Sequence, residues 1–140
     1  MILLTPTLRF ALRANDLARR AATLNGAAEP DPVPVVKFFN PIGAATWLAT
    51  ELAKDGDTLF GLADLGFGCP ELGRFSLSEM VSVRLPFGLG IERDIAFETS
   101  FRLSVWTEMA RRAESILSAE TLLRRAHRAG DGSEFPPIGG

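Results

Sequence analysis

Asp64, Cys69 and Glu71 fall within eight residues of one another in the stretch LFGLADLGFGCPELG, residues 59 to 73, with four of the chain's thirteen glycines interleaved. Two carboxylates and a thiol beside glycines are the raw material for a metal site, a thiolate nucleophile or a phosphate-cradling loop. The glycines at 61, 66, 68 and 73 match neither a Walker loop nor the GxGxxG fingerprint, and no helix begins directly after them. Gly61 therefore reads as a close-approach point in a strand, and Gly66 and Gly68 as turn residues with positive φ. Cys69 has no CxxC partner, and the sole histidine, His127, lies 58 residues on, so zinc binding and cysteine catalysis lack their second member. No GxSxG stands in the chain for serine hydrolysis. Magnesium or manganese held by Asp64, Glu71 and Glu51 stays open as the chemistry of a small nuclease-like enzyme.

The second feature is cationic. Arg111, Arg112, Arg124, Arg125 and Arg128 crowd the C-terminal helical segment, and Arg9, Arg13, Arg19 and Arg20 the first one. Such helices can lie on phosphates, meet an acidic partner, or spread arginine stems over apolar surface. Several strands and turns carry the opposing charge, and an asymmetry of that kind suits protein docking. Asp64, Glu71, Arg74, Glu92, Arg93 and Asp94, in polar turns and on a charged strand, are the expected contact residues for a protein partner.

A chain of 140 residues with 46% hydrophobic and 23% charged residues is expected to form one soluble domain with its own core. Its formal charge of -2 fits neither a strongly basic nucleic-acid binder nor a DNA mimic recognised by charge alone. One cysteine allows no internal disulfide, and the chain shows no signal-peptide core and no run of about 18 apolar residues. A cytoplasmic protein off the membrane and without a cofactor is expected. Ten phenylalanines and no tyrosine assign the aromatic residues to the core.

The elements that would position these groups follow from caps and periodicity. Thr5 and Pro6 start a helix that Gly26 ends, with Leu8, Ala11, Leu12, Leu17 and Leu24 on its apolar stripe and Asn15-Asp16 as a break point. A proline-rich linker over 27 to 34 follows. Strands at 35 to 39, 44 to 52 and 58 to 65, joined by short turns, form an antiparallel meander. Ser76 and Glu79 make a capping box for a short helix that Pro86 ends. A strand over 91 to 98 carries Ile91, Arg93, Ile95 and Phe97 on one face. A final helix, capped by Ser104, continues to about 128, and residues 129 to 140 form a tail. The expected fold is a single α+β domain over 1 to 128, an antiparallel sheet of four to five strands with helices on one face.

The blocks PVPVVKFFNPIGAATWLATEL, DTLFGLADLGFGCPELGRFSLSEM and LPFGLGIERDIAFE together resemble an uncharacterised bacterial family, domain of unknown function 2958, over roughly residues 1 to 115. The resemblance implies a small protein of plasmids, integrative elements or phages and brings no catalytic residue with it. The leading expectation is a non-enzymatic module that binds a host or defence protein, as an anti-restriction or anti-CRISPR inhibitor would. Nucleic-acid binding through Arg111, Arg112, Arg124, Arg125 and Arg128 is the first alternative, and the metal-dependent enzyme the second. The oligomeric state is not legible in the sequence.

Overall fold

The computed structural model describes residues 1–129; the expected tail lies outside that range save for Ala129. Helix α1 (Pro6–Leu24) is followed by strands β1 (Val36–Phe39), β2 (Thr46–Leu52), β3 (Thr58–Asp64) and β4 (Glu71–Ser76). Helix α2 (Leu77–Ser82), a single 3-10 turn at Pro86–Gly88, strand β5 (Glu92–Arg93) and helices α3 (Leu103–Ala113) and α4 (Ile116–Arg128) complete the order. All five strands form one antiparallel sheet in the order β4-β3-β2-β1-β5. The α+β domain with a meander and a later strand is what the sequence predicts.

The helices, however, cover both faces of the sheet. Leu12 of α1 packs with Val36, Phe38, Ala49 and Leu59, joined by Leu77 and Met80 of α2. Leu48 and Leu62 pack with Trp106, Met109 and Ala110 of α3 and with Ile116, Ala119 and Leu123 of α4. Neighbouring residues of a strand point to opposite faces, so Leu48 and Ala49 belong to different cores. The expectation of a single covered face is corrected here, and β2 shows the cause: both of its phases carry apolar residues, as in a strand buried on two sides.

Two polar residues of α1 complete the backbone of β2. The ladder slips between Ala49 and Glu51, leaving Thr50 as the extra residue of a bulge. The freed Thr50 carbonyl accepts from Asn15 Nδ2 at 2.9 Å, and the Leu52 carbonyl from Arg13 at 2.7 Å. Asp16 is buried and held by Arg13, Arg19 and Arg20. With their side chains occupied in this way, Asn15 and Asp16 do not break α1, which runs unbroken from its Thr5 cap. Leu17 and Leu24 stand in solvent, outside the stripe expected of them.

Other boundaries move for local reasons. Strand β4 is an element the pattern did not predict, because Gly73 and the exposed Glu71 and Arg74 hide its alternation. β5 pairs over two residues only, since the Asp94 carboxylate accepts from the amide of Ala96 and turns the chain; Ile95 is exposed. Ser76 accepts from Glu79 N as expected, while Asp57 rather than Glu79 completes the cap, accepting from Ser78 N and Ser76 Oγ. α3 begins at Leu103 with no side-chain cap, Ser104 bonding instead to Asp31 through both its amide and its hydroxyl. Glu114 adopts φ 59 and separates α3 from α4, which Ser115 caps.

Candidate interaction site

The stretch from Asp64 to Ser76 is a strand end, a loop and the outermost strand of the sheet. Asp64 is only 2% exposed, with Oδ1 accepting from Gly66 N at 2.8 Å and Oδ2 from Ile116 N at 2.9 Å. Its charge thus rests at the N-terminus of α4, where unpaired amides and the helix dipole favour an anion. No partner can reach it in the folded chain, which corrects its expected role as a contact residue. Gly66 and Gly68 take φ of 92 and 82 as the turn requires. Between them the loop presents Phe67, 83% exposed, beside exposed Leu65 and Cys69.

Strand β4 then runs along β3 from Ala63↔Glu71 to Thr58↔Ser76. Among the described residues no strand pairs with its outer side. Glu71, Leu72 and Arg74 are exposed along it, and the Arg74 guanidinium stands 5.9 Å from the centre of the Phe60 ring. The backbone donors and acceptors of an edge strand are therefore flanked by Leu72 and Arg74 toward one face of the sheet and Glu71 toward the other.

Glu92, Arg93 and Asp94 lie at the other end of the sheet, because β5 and β4 are its two edges with three strands between them. At about 4.8 Å per strand the two groups stand roughly 19 Å apart. The six expected contact residues do not form one surface. Arg93 is spent on structure: its guanidinium donates to the carbonyls of Ile2 and Leu3 at 2.8 and 3.1 Å. Asp94 pairs at 3.5 Å with buried Lys37, whose ammonium also meets Glu120 of α4 at 2.9 Å.

The three residues of the metal alternative are engaged separately. Glu51 is engaged with Arg19 at 2.8 Å, Asp64 with two amides, and Glu71 is exposed on β4. Among the described residues no group of three His, Cys, Asp or Glu side chains converges as a cation would need.

The arginines divide. Arg112 pairs with Glu108 at 2.9 Å on the solvent side of α3, and Arg111 and Arg125 are exposed. Arg124 and Arg128, with His127, wall an open cleft of about 650 Å³ against Phe97, Phe101 and Trp106. Trp106 itself is held by a bond from its indole N–H to Thr99 Oγ1 at 3.1 Å. Sequence reasoning missed this cleft, because the loop from 96 to 101 and the end of α4 meet only in the folded chain. No described helix is long and apolar enough to cross a membrane.

No solved structure matches the chain. Two curated proteins, each described as a dihydroorotate dehydrogenase (quinone), share a stretch of 67 residues with it. The one from Herminiimonas arsenicoxydans is 42% identical over 48% of this chain and 18% of its own length. The one from Flavobacterium lutescens is 43% identical over 44% of this chain and 18% of its own. The chain thus spans about a fifth of the length of the curated relatives it matches. The model of the family described as protein of unknown function (DUF2958) matches residues 3–117, from the buried N-terminal leucines through β5 to the first turn of α4, and the chain belongs to that family.

Proposed function

We propose that the protein is a non-enzymatic interaction module that docks another protein along the outer edge of β4 and the adjoining loop. The unpaired edge of β4, flanked by exposed Phe67, Leu65 and Leu72, carries this reading. A six-residue edge invites an added strand unless it is blunted, and strand addition satisfies its free amides and carbonyls. Phe67 is the anchor a partner's pocket would take, and Glu71 and Arg74 bias its register. In the mobile-element setting that the family resemblance implies, the partner is a host or defence-system protein met in the cytoplasm, and the concrete form of the activity is inhibition of a restriction or CRISPR-type system. The oxidation named for the two partial relatives is no part of this reading. Affinity purification from host lysate with the wild-type chain, Phe67→Ser and Leu72→Lys tests it. One stoichiometric partner is expected with the wild type and lost with both variants; no partner, or one retained by both variants, overturns it.

A second reading is favoured by the cleft at the end of α4. Arginines beside phenylalanine rings are the combination that holds single-stranded nucleic acid by phosphate contact and stacking. It predicts binding to an oligonucleotide that falls steeply with salt and is lost in Arg128→Glu.

A further inference from the structure

Helix α1 carries a second apolar face that none of the described residues covers. Leu8 and Leu12 pack into the core and Asn15, Asp16 and Arg19 engage the sheet or one another. On the opposite side Phe10, Leu17 and Leu24 are 78%, 57% and 87% exposed, and Ala14 and Ala21 between them are exposed as well. Positions 10, 14, 17, 21 and 24 are spaced four, three, four and three residues apart, which is the spacing of a coiled-coil seam. The large residues occupy the d positions and the alanines the a positions. Large d residues serve as knobs, and the small a residues leave holes in which a facing helix can seat its own leucines.

We propose that this seam binds an amphipathic helix of a partner protein whose flanks are acidic. The seam is a strict a/d stripe, narrower than the broad apolar face that a helix lays on a lipid surface. Its flanking charge selects the partner. Arg13 and Arg20 hold the g positions, and Arg9 lies beside Phe10. Asp16 and Glu51 offset two of the three guanidiniums of Arg13, Arg19 and Arg20, Asp55 and Glu29 act on Arg13 and Arg19 from further off, and among the described residues Arg9 bonds to the Gly56 carbonyl. The positive charge that the rim of the seam shows to solvent is therefore that of the exposed Arg9 and Arg20. A second copy of α1 packed antiparallel would bring arginine against arginine. Packed parallel it would set Arg13 and Arg20 against Ala18 and Asn25, with no carboxylate to meet them. Glutamates at the e and g positions of a foreign helix meet these arginines directly. This surface is separate from β4, and the inference does not depend on the proposal made for that edge.

The test uses the full chain and two synthetic three-heptad helical peptides with leucine at a and d. One carries glutamate at e and g, the other lysine. Fluorescence anisotropy is expected to show saturable binding of the glutamate peptide, at least tenfold tighter than the lysine peptide and weakened by salt. Leu17→Glu is expected to weaken it about thirtyfold or more, in line with loss of a central anchor. Because Leu17 is exposed, this variant should keep its fold; circular dichroism checks that, and Phe10→Ala supplies a second, milder loss. Val81→Glu, an exposed apolar position on α2, is expected to leave binding unchanged. Equal binding of both peptides, or none, overturns the proposal. So does sedimentation of a wild-type dimer that Leu17→Glu dissociates, which would assign the seam to a second copy. Binding to phosphatidylserine vesicles in place of the peptide would assign it to lipid.

Discussion

Asp64 shows how a single carboxylate can look functional in sequence and be structural in the fold. Its carboxylate is buried and accepts from the amide of Gly66 and the first amide of α4. Asp64→Asn keeps the shape but removes the charge and puts an amide NH2 where one of the two acceptors stood. It is expected to cost about 2 kcal/mol, read as a lower midpoint in urea with an unchanged slope. Were Asp64 a contact or metal residue, the same change would alter binding and leave stability nearly untouched. The sequence could not show this role because the group it anchors, Ile116, is 52 residues away. Gly61, by contrast, was legible. A glycine amid apolar strand residues signals a close approach, and a Cβ there would sit 1.8 Å from the Leu48 carbonyl oxygen.

At the level of elements that contact has a measurable consequence. β2 and β3 pair Ala49 with Gly61 just where the ladder slips around Thr50, and any side chain at 61 would push the two strands apart. Gly61→Ala is expected to lose about 3 kcal/mol or more, or to fail to fold, as judged by thermal unfolding. The elements read well from sequence were those with strong local signals: the Thr5-Pro6 start of α1, the meander and the Ser76 cap. Those misread depended on partners remote in sequence. β4 exists because β3 offers it a ladder, although Gly73 and two exposed charged residues give it weak strand character. β5 is short because Asp94 turns back on the amide of Ala96 while also meeting Lys37. The break at Glu114 lies in a left-handed conformation that few residues other than glycine favour, and nothing in its local sequence announces it.

Taken whole, the molecule is a sheet between two cores, and its turns hold several carboxylates in their charged form. Hydrogen bonds from the backbone and side chain of Thr58 and from the amide of Asp57 lower the Asp55 pKa from the usual 3.8 to about 2. Bonds from the Ser76 hydroxyl and the Ser78 amide lower that of Asp57. Burial would raise that of Asp16, but the bonds from Arg13 and Arg20 prevail and it too is lowered. A carboxylate whose pKa is lower folded than unfolded adds stability above the unfolded value. That stability is lost as pH falls through the folded value. The urea midpoint is therefore expected to hold from neutral pH down to about 5 and to drop between about 4 and 2, with a shallower drop in Asp55→Asn. The α+β class was legible because the meander is built from neighbours in sequence. Coverage of both sheet faces was not, because α1 and the α3–α4 pair lie at opposite ends of the chain. The clasp of Arg93 on Ile2 and Leu3 has a kinetic meaning. It closes a loop of about ninety residues, whereas each meander turn closes only a few, so the order of events is set by loop entropy. The four-stranded meander is therefore expected to form before the N-terminal segment latches onto β5. Native-state hydrogen exchange is expected to show faster exchange in that latch than in β2 and β3, a door at one edge of a sheet whose centre stays shut.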